Sequence, residues 1–130
     1  MRVLFDTALA LSLLCTCLEA APRHVYLTWQ GDPTTSITVN LHTIVPGEGA
    51  PGAMGHYDTL AHGGQDWQAY AFHASGTQQR LVDLADRVVH RVQLTDLQPD
   101  RVYWFVAGDS TGLTAERAFR TIPDTAGRLR

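Results

Sequence analysis

Six histidines are the residues of this chain best suited to chemistry, as metal ligands or as proton carriers near neutral pH. His24 and His42 fall on the outward faces of two neighbouring strands and could approach one another. His56, His62 and His73 sit in or beside glycine-rich segments with Asp58 and Asp66 near, the raw material of a loose His/Asp cluster. His90 has the parity of a core-facing residue, which reads as an interior histidine satisfied by hydrogen bonds. No HxH or HExxH spacing occurs anywhere, so none of the six is assigned as a metal ligand. Nucleophile chemistry finds no footing either: there is no GxSxG and no Ser/His/Asp set in a recognisable context. Gly108-Asp109-Ser110 resembles a fragment of a phosphate site but reads as a turn, where Gly and Asp serve the backbone. The run Pro46-Gly47-Glu48-Gly49-Ala50-Pro51-Gly52 lacks the helix and lysine of a phosphate-cradling loop. No catalytic and no metal-binding residue is therefore assigned.

The amino terminus has a different character. Val3 to Leu18 is apolar apart from Asp6 and a few small polar residues, with Arg2 before it and Glu19-Ala20-Ala21-Pro22 after it. That order predicts a secretory signal peptide over residues 1–20 and a secreted, periplasmic or extracellular product. The run is short of the ~20 clean apolar residues of a spanning helix, so no membrane association is expected once the signal is removed. Cys15 and Cys17 are the only cysteines and would leave with it, removing disulfides and thiolate metal sites from the mature chain. Net charge is −3, and the ten positive charges are all scattered arginines, a pattern that excludes nucleic acid as a partner.

The elements that would position these side chains are strands. His24 to Trp29 alternates, with Val25, Leu27 and Trp29 on one face. Thr35 to Thr43 alternates again through Ile37, Val39 and Leu41, and the Gly31-Asp32-Pro33 turn between the two predicts a hairpin. Met54–Asp58, Trp67–Ala74, Val88–Leu94, Arg101–Ala107 and Ala115–Ile122 complete the set, while Gln78–Asp86 reads as loop. Seven strands with no long helix predict an all-β, seven-stranded antiparallel sandwich, fibronectin type III or immunoglobulin-like. The most telling stretch is the corner after Leu94. Leu97 is placed to pack, Pro99 sets φ near −65°, and Tyr103 can fold its hydroxyl back to upstream backbone. Beyond the corner one strand is apolar on both sides, Tyr103 and Phe105 against Val102, Trp104 and Val106. A strand apolar on both faces is covered on both, by loops or by another domain, so Val102, Trp104 and Val106 form the expected docking face.

Four segments in order resemble the N-terminal fibronectin-III-like domain of purple acid phosphatases. They are His24-Val25-Tyr26-Leu27-Thr28-Trp29 with Gly31-Asp32-Pro33 and Ser36-Ile37-Thr38-Val39, the run from His90 through Leu97 and Pro99 to Trp104, Val106-Ala107-Gly108-Asp109, and Phe119-Arg120-Thr121-Ile122-Pro123. The resemblance implies a domain over residues 22–123 and a linker over 124–130 toward a calcineurin-like metallophosphatase domain. In the family that domain holds a dinuclear iron–metal centre and hydrolyses phosphomonoesters at acidic pH. Its ligand motifs do not occur here and the sequence ends seven residues after Pro123, so no ligand residue carries over and no cofactor is expected in this chain. The expectation is a non-catalytic accessory domain of a secreted acid phosphatase, partnered by a metallophosphatase domain in cis downstream or separately encoded. The alternatives are a free-standing fibronectin-like module that binds a protein or glycan through loops such as Pro46–Gly64, and a small phosphatase built from loop histidines.

Overall fold

Alternating apolar and polar residues set most of the strands and the face that each one buries. The computed structural model describes residues 22–44, 52–81, 83, 87–109 and 112–125. The expected signal peptide with Cys15 and Cys17, residues 45–51 of the loop, and residues 126–130 of the linker lie outside them. Among the described residues there are nine strand segments: β1 (Arg23–Thr28), β2 (Ile37–Ile44), β3 (Met54–Asp58), β4 (Phe72–Ser75), β5 (Thr77–Arg80), β6 (Arg87–Leu94), β7 (Val102–Asp109), β8 (Gly112–Leu113) and β9 (Arg117–Arg120). One sheet runs β1-β2-β6-β5. The other runs β4-β3-β7, with β8 and β9 sharing the far edge of β7. Every pairing is antiparallel. The fold is the all-β sandwich that the alternation predicts. No helix of the described residues is long and apolar enough to cross a membrane.

The two inner faces meet as the pleat requires. Ile37, Val39 and Leu41 of β2 and Val92 and Leu94 of β6 face Tyr57 of β3, Tyr103, Phe105 and Ala107 of β7, and Phe119 of β9. Val39, Leu41, Val92 and Leu94 are wholly buried, and burial of one such side chain contributes about 1.5–3 kcal/mol. The β2–β6 register pairs Val39 with Val92 and Leu41 with His90, so the longest strand pair sits at the middle of its sheet.

The strand count differs from seven for identifiable reasons. Trp67–Ala69 is a 3-10 turn rather than a strand, because the Asp66 carboxylate accepts the Gln68 N–H at 3.0 Å; only Phe72–Ser75 extends. Thr77–Arg80, read as the edge of a loop, is β5. It is wholly exposed and polar, so no alternation announces it; the free edge of β6 recruits it. Gly76 alone separates β4 in one sheet from β5 in the other. A Cβ there would lie 2.8 Å from Val92 Cγ2 and 2.9 Å from the carbonyl oxygens of Ala53 and Arg91, so the crossing needs a residue with no side chain. The last strand is shorter than Ala115–Ile122, and β7 runs on through Gly108 to Asp109, into what reads as a turn.

Candidate functional site

At the corner, Asp96 and Asp100 adopt left-handed φ values of 57° and 52° on either side of Leu97-Gln98-Pro99, a conformation that Asp tolerates better than most residues. Leu97 is buried, and its N–H reaches the Thr35 carbonyl at 2.9 Å, tying the corner to the β1–β2 turn. Pro99 is half-buried. The Tyr103 ring stacks on Phe119 with centroids 5.7 Å apart, and its hydroxyl oxygen accepts the Gln98 N–H at 2.9 Å. Thr121 completes the corner: its Oγ1 accepts from the Arg101 N–H at 2.9 Å and donates to the Gln98 carbonyl. Thr121 gives no local sequence signal, because it lies 23 residues from Gln98.

The three residues of the expected docking face do not share one environment. Val102 is 39% exposed, Trp104 is half-buried and Val106 is fully buried. Val106 is covered by the chain itself. The β3–β4 connection, residues 59–71, folds back over the outer face of its own sheet and brings Gly64 against the Val106 side chain. Gly64 holds φ +76°, and a Cβ on it would stand 3.1 Å from the Glu116 nitrogen.

Two carboxylates hold that connection down. Asp58, at the end of β3, accepts from Thr59 N–H at 2.7 Å, His62 Nε2–H at 2.8 Å and Ala71 N–H at 3.2 Å. Glu116, just before β9, accepts from His62 N–H at 2.7 Å, from Gly63 N–H at 3.0 Å and from the hydroxyl of buried Tyr70. Burial alone would push the Asp58 carboxyl up, but the bonds from His62, Thr59, Ala71 and Leu60 outweigh it and hold the pKa below its ordinary value. Glu116 is lowered in the same way, burial being overcome by Tyr70, His62 and Gly63. Burial and then the Glu116 carboxylate push the Tyr70 hydroxyl up. With their oxygens committed to donors, Asp58 and Glu116 serve as anchors, not as general bases.

The histidines separate into distinct settings. His56 Nδ1 and His73 Nδ1 lie 2.7 Å apart, while His62 pairs with Asp58 and Asp66 caps the 3-10 turn, so the loose cluster of the sequence divides. Among the described residues no group of three or more His, Cys, Asp or Glu could hold a metal ion. His24 and His42 do approach, with ring centroids 5.4 Å apart. His90 is fully buried. Its Nδ1 accepts the Ala53 N–H at 3.3 Å, so Nε2 carries the proton and donates to Thr43 Oγ1 at 2.7 Å. Burial holds its pKa below the ordinary value, partly offset by Asp109, so it stays neutral in the core. A cleft of about 160 Å³ opens between Tyr57, Phe72, Tyr103 and Asp96. Ligand pockets run to roughly 300–1,000 Å³, so this cleft admits one side chain rather than a cofactor.

The two-sheet topology and the tyrosine-held corner define a fibronectin-like sandwich domain. A family model described as "Purple acid Phosphatase, N-terminal domain" matches residues 22–121, and the chain belongs to that family. No curated protein matches it. Among solved structures it is similar to a computationally redesigned β-sandwich protein at 16% identity and a TM-score of 0.38, covering 80% of this chain and 96% of that one.

Proposed function

We propose that this domain is a non-catalytic accessory module of a secreted purple acid phosphatase-like protein, which supports or docks a metallophosphatase domain supplied downstream or by a separate chain. The observation that carries the reading is the family match across residues 22–121. Exposed Val102 beside half-buried Trp104, at the start of β7, supports a contact with another domain at that end of the sheet. The dinuclear iron–metal centre of the family belongs, on this reading, to the partner domain, as does phosphomonoester hydrolysis.

The test is turnover. The purified chain, supplied with iron, zinc or manganese, is expected to leave p-nitrophenyl phosphate unhydrolysed, and metal-dependent hydrolysis would overturn the reading. The docking element has its own check. Trp104→Ser is expected to weaken association with a metallophosphatase domain expressed alongside; unchanged association would remove Trp104 from the contact.

A further inference from the structure

We propose that His56 and His73 form a two-imidazole site for a late first-row divalent metal ion, Cu(II) before Zn(II). The two residues are partners across β3 and β4, so their side chains leave the sheet on the same face. Their Nδ1 atoms face each other at 2.7 Å, a separation at which one proton sits between two nitrogen lone pairs. A metal ion shared by the two rings would lie off the line between those nitrogens, with both lone pairs turned toward it. Bonds of ~2.0–2.1 Å to each nitrogen place the nitrogens roughly 3 Å apart at a bent site, so the rings must spread by only a few tenths of an ångström.

The surroundings supply one fixed and one adjustable ligand. His56 is buried and lies against the Trp67 ring with centroids 4.8 Å apart. His73 is exposed on the edge strand β4, free to tilt and open to the waters that would complete the coordination. On binding, the ring whose Nδ1 carries the shared proton must hold it on Nε2 instead, which leaves both Nδ1 atoms free for the ion. Asp58 lies two residues further along β3 but is committed to Thr59, His62 and Ala71, so the protein provides two ligands. Imidazole suits Cu(II), Ni(II) and Zn(II), and among these divalent ions affinity is greatest for Cu(II).

The other histidine pair shows why this one is singled out. His24 and His42 also approach, but the Arg87 guanidinium stands 3.5 Å from His24 Nε2 and repels a second cation. The His56 and His73 rings instead contact each other and the Trp67 ring, which carries no charge.

Trp67 provides the readout. The full chain titrated with copper(II) chloride near pH 7 is expected to show saturable quenching of tryptophan fluorescence at one equivalent. His73→Ala is expected to raise the dissociation constant at least about tenfold, since even partners outside the ligand set cost that much. Trp67→Phe is expected to lose most of the quenching while calorimetry still records one ion bound, and His24→Ala is expected to bind like the parent. Because His73 is exposed, its substitution leaves the core intact, and His73→Gln, with a matching circular dichroism spectrum, must weaken binding likewise. Unsaturable quenching, unchanged affinity in both His73 variants, or loss on His24→Ala instead would overturn the site.

Discussion

Two irregular segments are tied down onto this sandwich, one at a corner and one over the outer face of a sheet, and with different chemistry. At the β6–β7 corner, backbone is held by neutral hydroxyls: Tyr103 takes the Gln98 N–H, and Thr121 takes the Arg101 N–H and returns a bond to the Gln98 carbonyl. In the β3–β4 connection, backbone is held by carboxylates: Asp58 gathers Thr59, His62 and Ala71, and Glu116 gathers His62, Gly63 and Tyr70. A neutral hydroxyl keeps its bond at any pH a cell meets. A carboxylate loses acceptor strength once it takes a proton. The hydroxyl bonds of the corner thus persist, its exposed Asp100–Arg120 ion pair aside, while the connection over Val106 is one that acid loosens.

The largest expected effect belongs to the corner. Tyr103→Ala removes a buried ring stacked on Phe119 and edge-on to Tyr57, and truncations of this size cost about 3–5 kcal/mol. Urea denaturation should show that loss equally at pH 7 and pH 4, as expected of packing. A loss that grew toward acid would mean the corner is coupled to titrating groups. Glu116→Ala comes next. It strands the hydroxyl of Tyr70, which is 2% exposed and cannot turn to water, while the His62 and Gly63 N–H groups can rehydrate. The cost should be about 2–3 kcal/mol at pH 7, one charge-assisted bond with its buried donor left unpaired. That difference should shrink as pH falls below the ordinary glutamate pKa of 4.5, where the unfolded chain takes up its proton first, and vanish as pH passes the lower folded-state value.

The pH profile of the parent sharpens the contrast. His42, His56 and His90 are all held below the ordinary histidine value of 6.5, chiefly by burial. The unfolded chain therefore binds protons before the folded one, and stability falls as pH drops below 6.5. Asp58 and Glu116 are held below 3.8 and 4.5, so their contribution is complete above those values and disappears as pH falls through the lower folded-state values. Urea midpoints measured from pH 8 to pH 3 should fall in two windows. Asp58→Asn with Glu116→Gln should flatten the lower window and leave the upper one. A profile unchanged by the double substitution would show that the carboxylates do not hold the connection.

The same contrast explains what the amino-acid sequence reveals. Leu97, Pro99 and Tyr103 sit within one short run, so a reader of the chain meets the corner whole. β2 and β6 are legible for a related reason, since each carries its own alternation, and β7 is legible as an unbroken apolar run. The carboxylate-held connection has no such signature: 54 residues separate His62 from Glu116, and nothing near either announces the other. β5 is hidden differently. Its four residues are polar on both faces, and only the open edge of β6 defines it. The His56–His73 contact is visible as two histidines near glycine, but the register that sets them opposite one another comes from β3–β4 pairing. Local pattern carries elements and contiguous joints, whereas contacts between distant loops depend on how the sheets stack.

The smallest prediction bears most directly on the corner's neutrality. Tyr103→Phe keeps the ring against Phe119 and removes only the oxygen that accepts the Gln98 N–H. An intramolecular hydrogen bond of this kind contributes about 1 kcal/mol net, and exposed Gln98 can offer its N–H to water instead. The urea midpoint should therefore drop slightly and by the same amount at every pH from 8 to 3, so the two profiles run parallel. The carboxylate variants should converge on the parent in acid. If the Tyr103→Phe profile also converged, the hydroxyl would be acting through a titrating neighbour, Asp96 being the acidic group that lines the cleft beside it, and the division between a neutral joint and a charged one would fail.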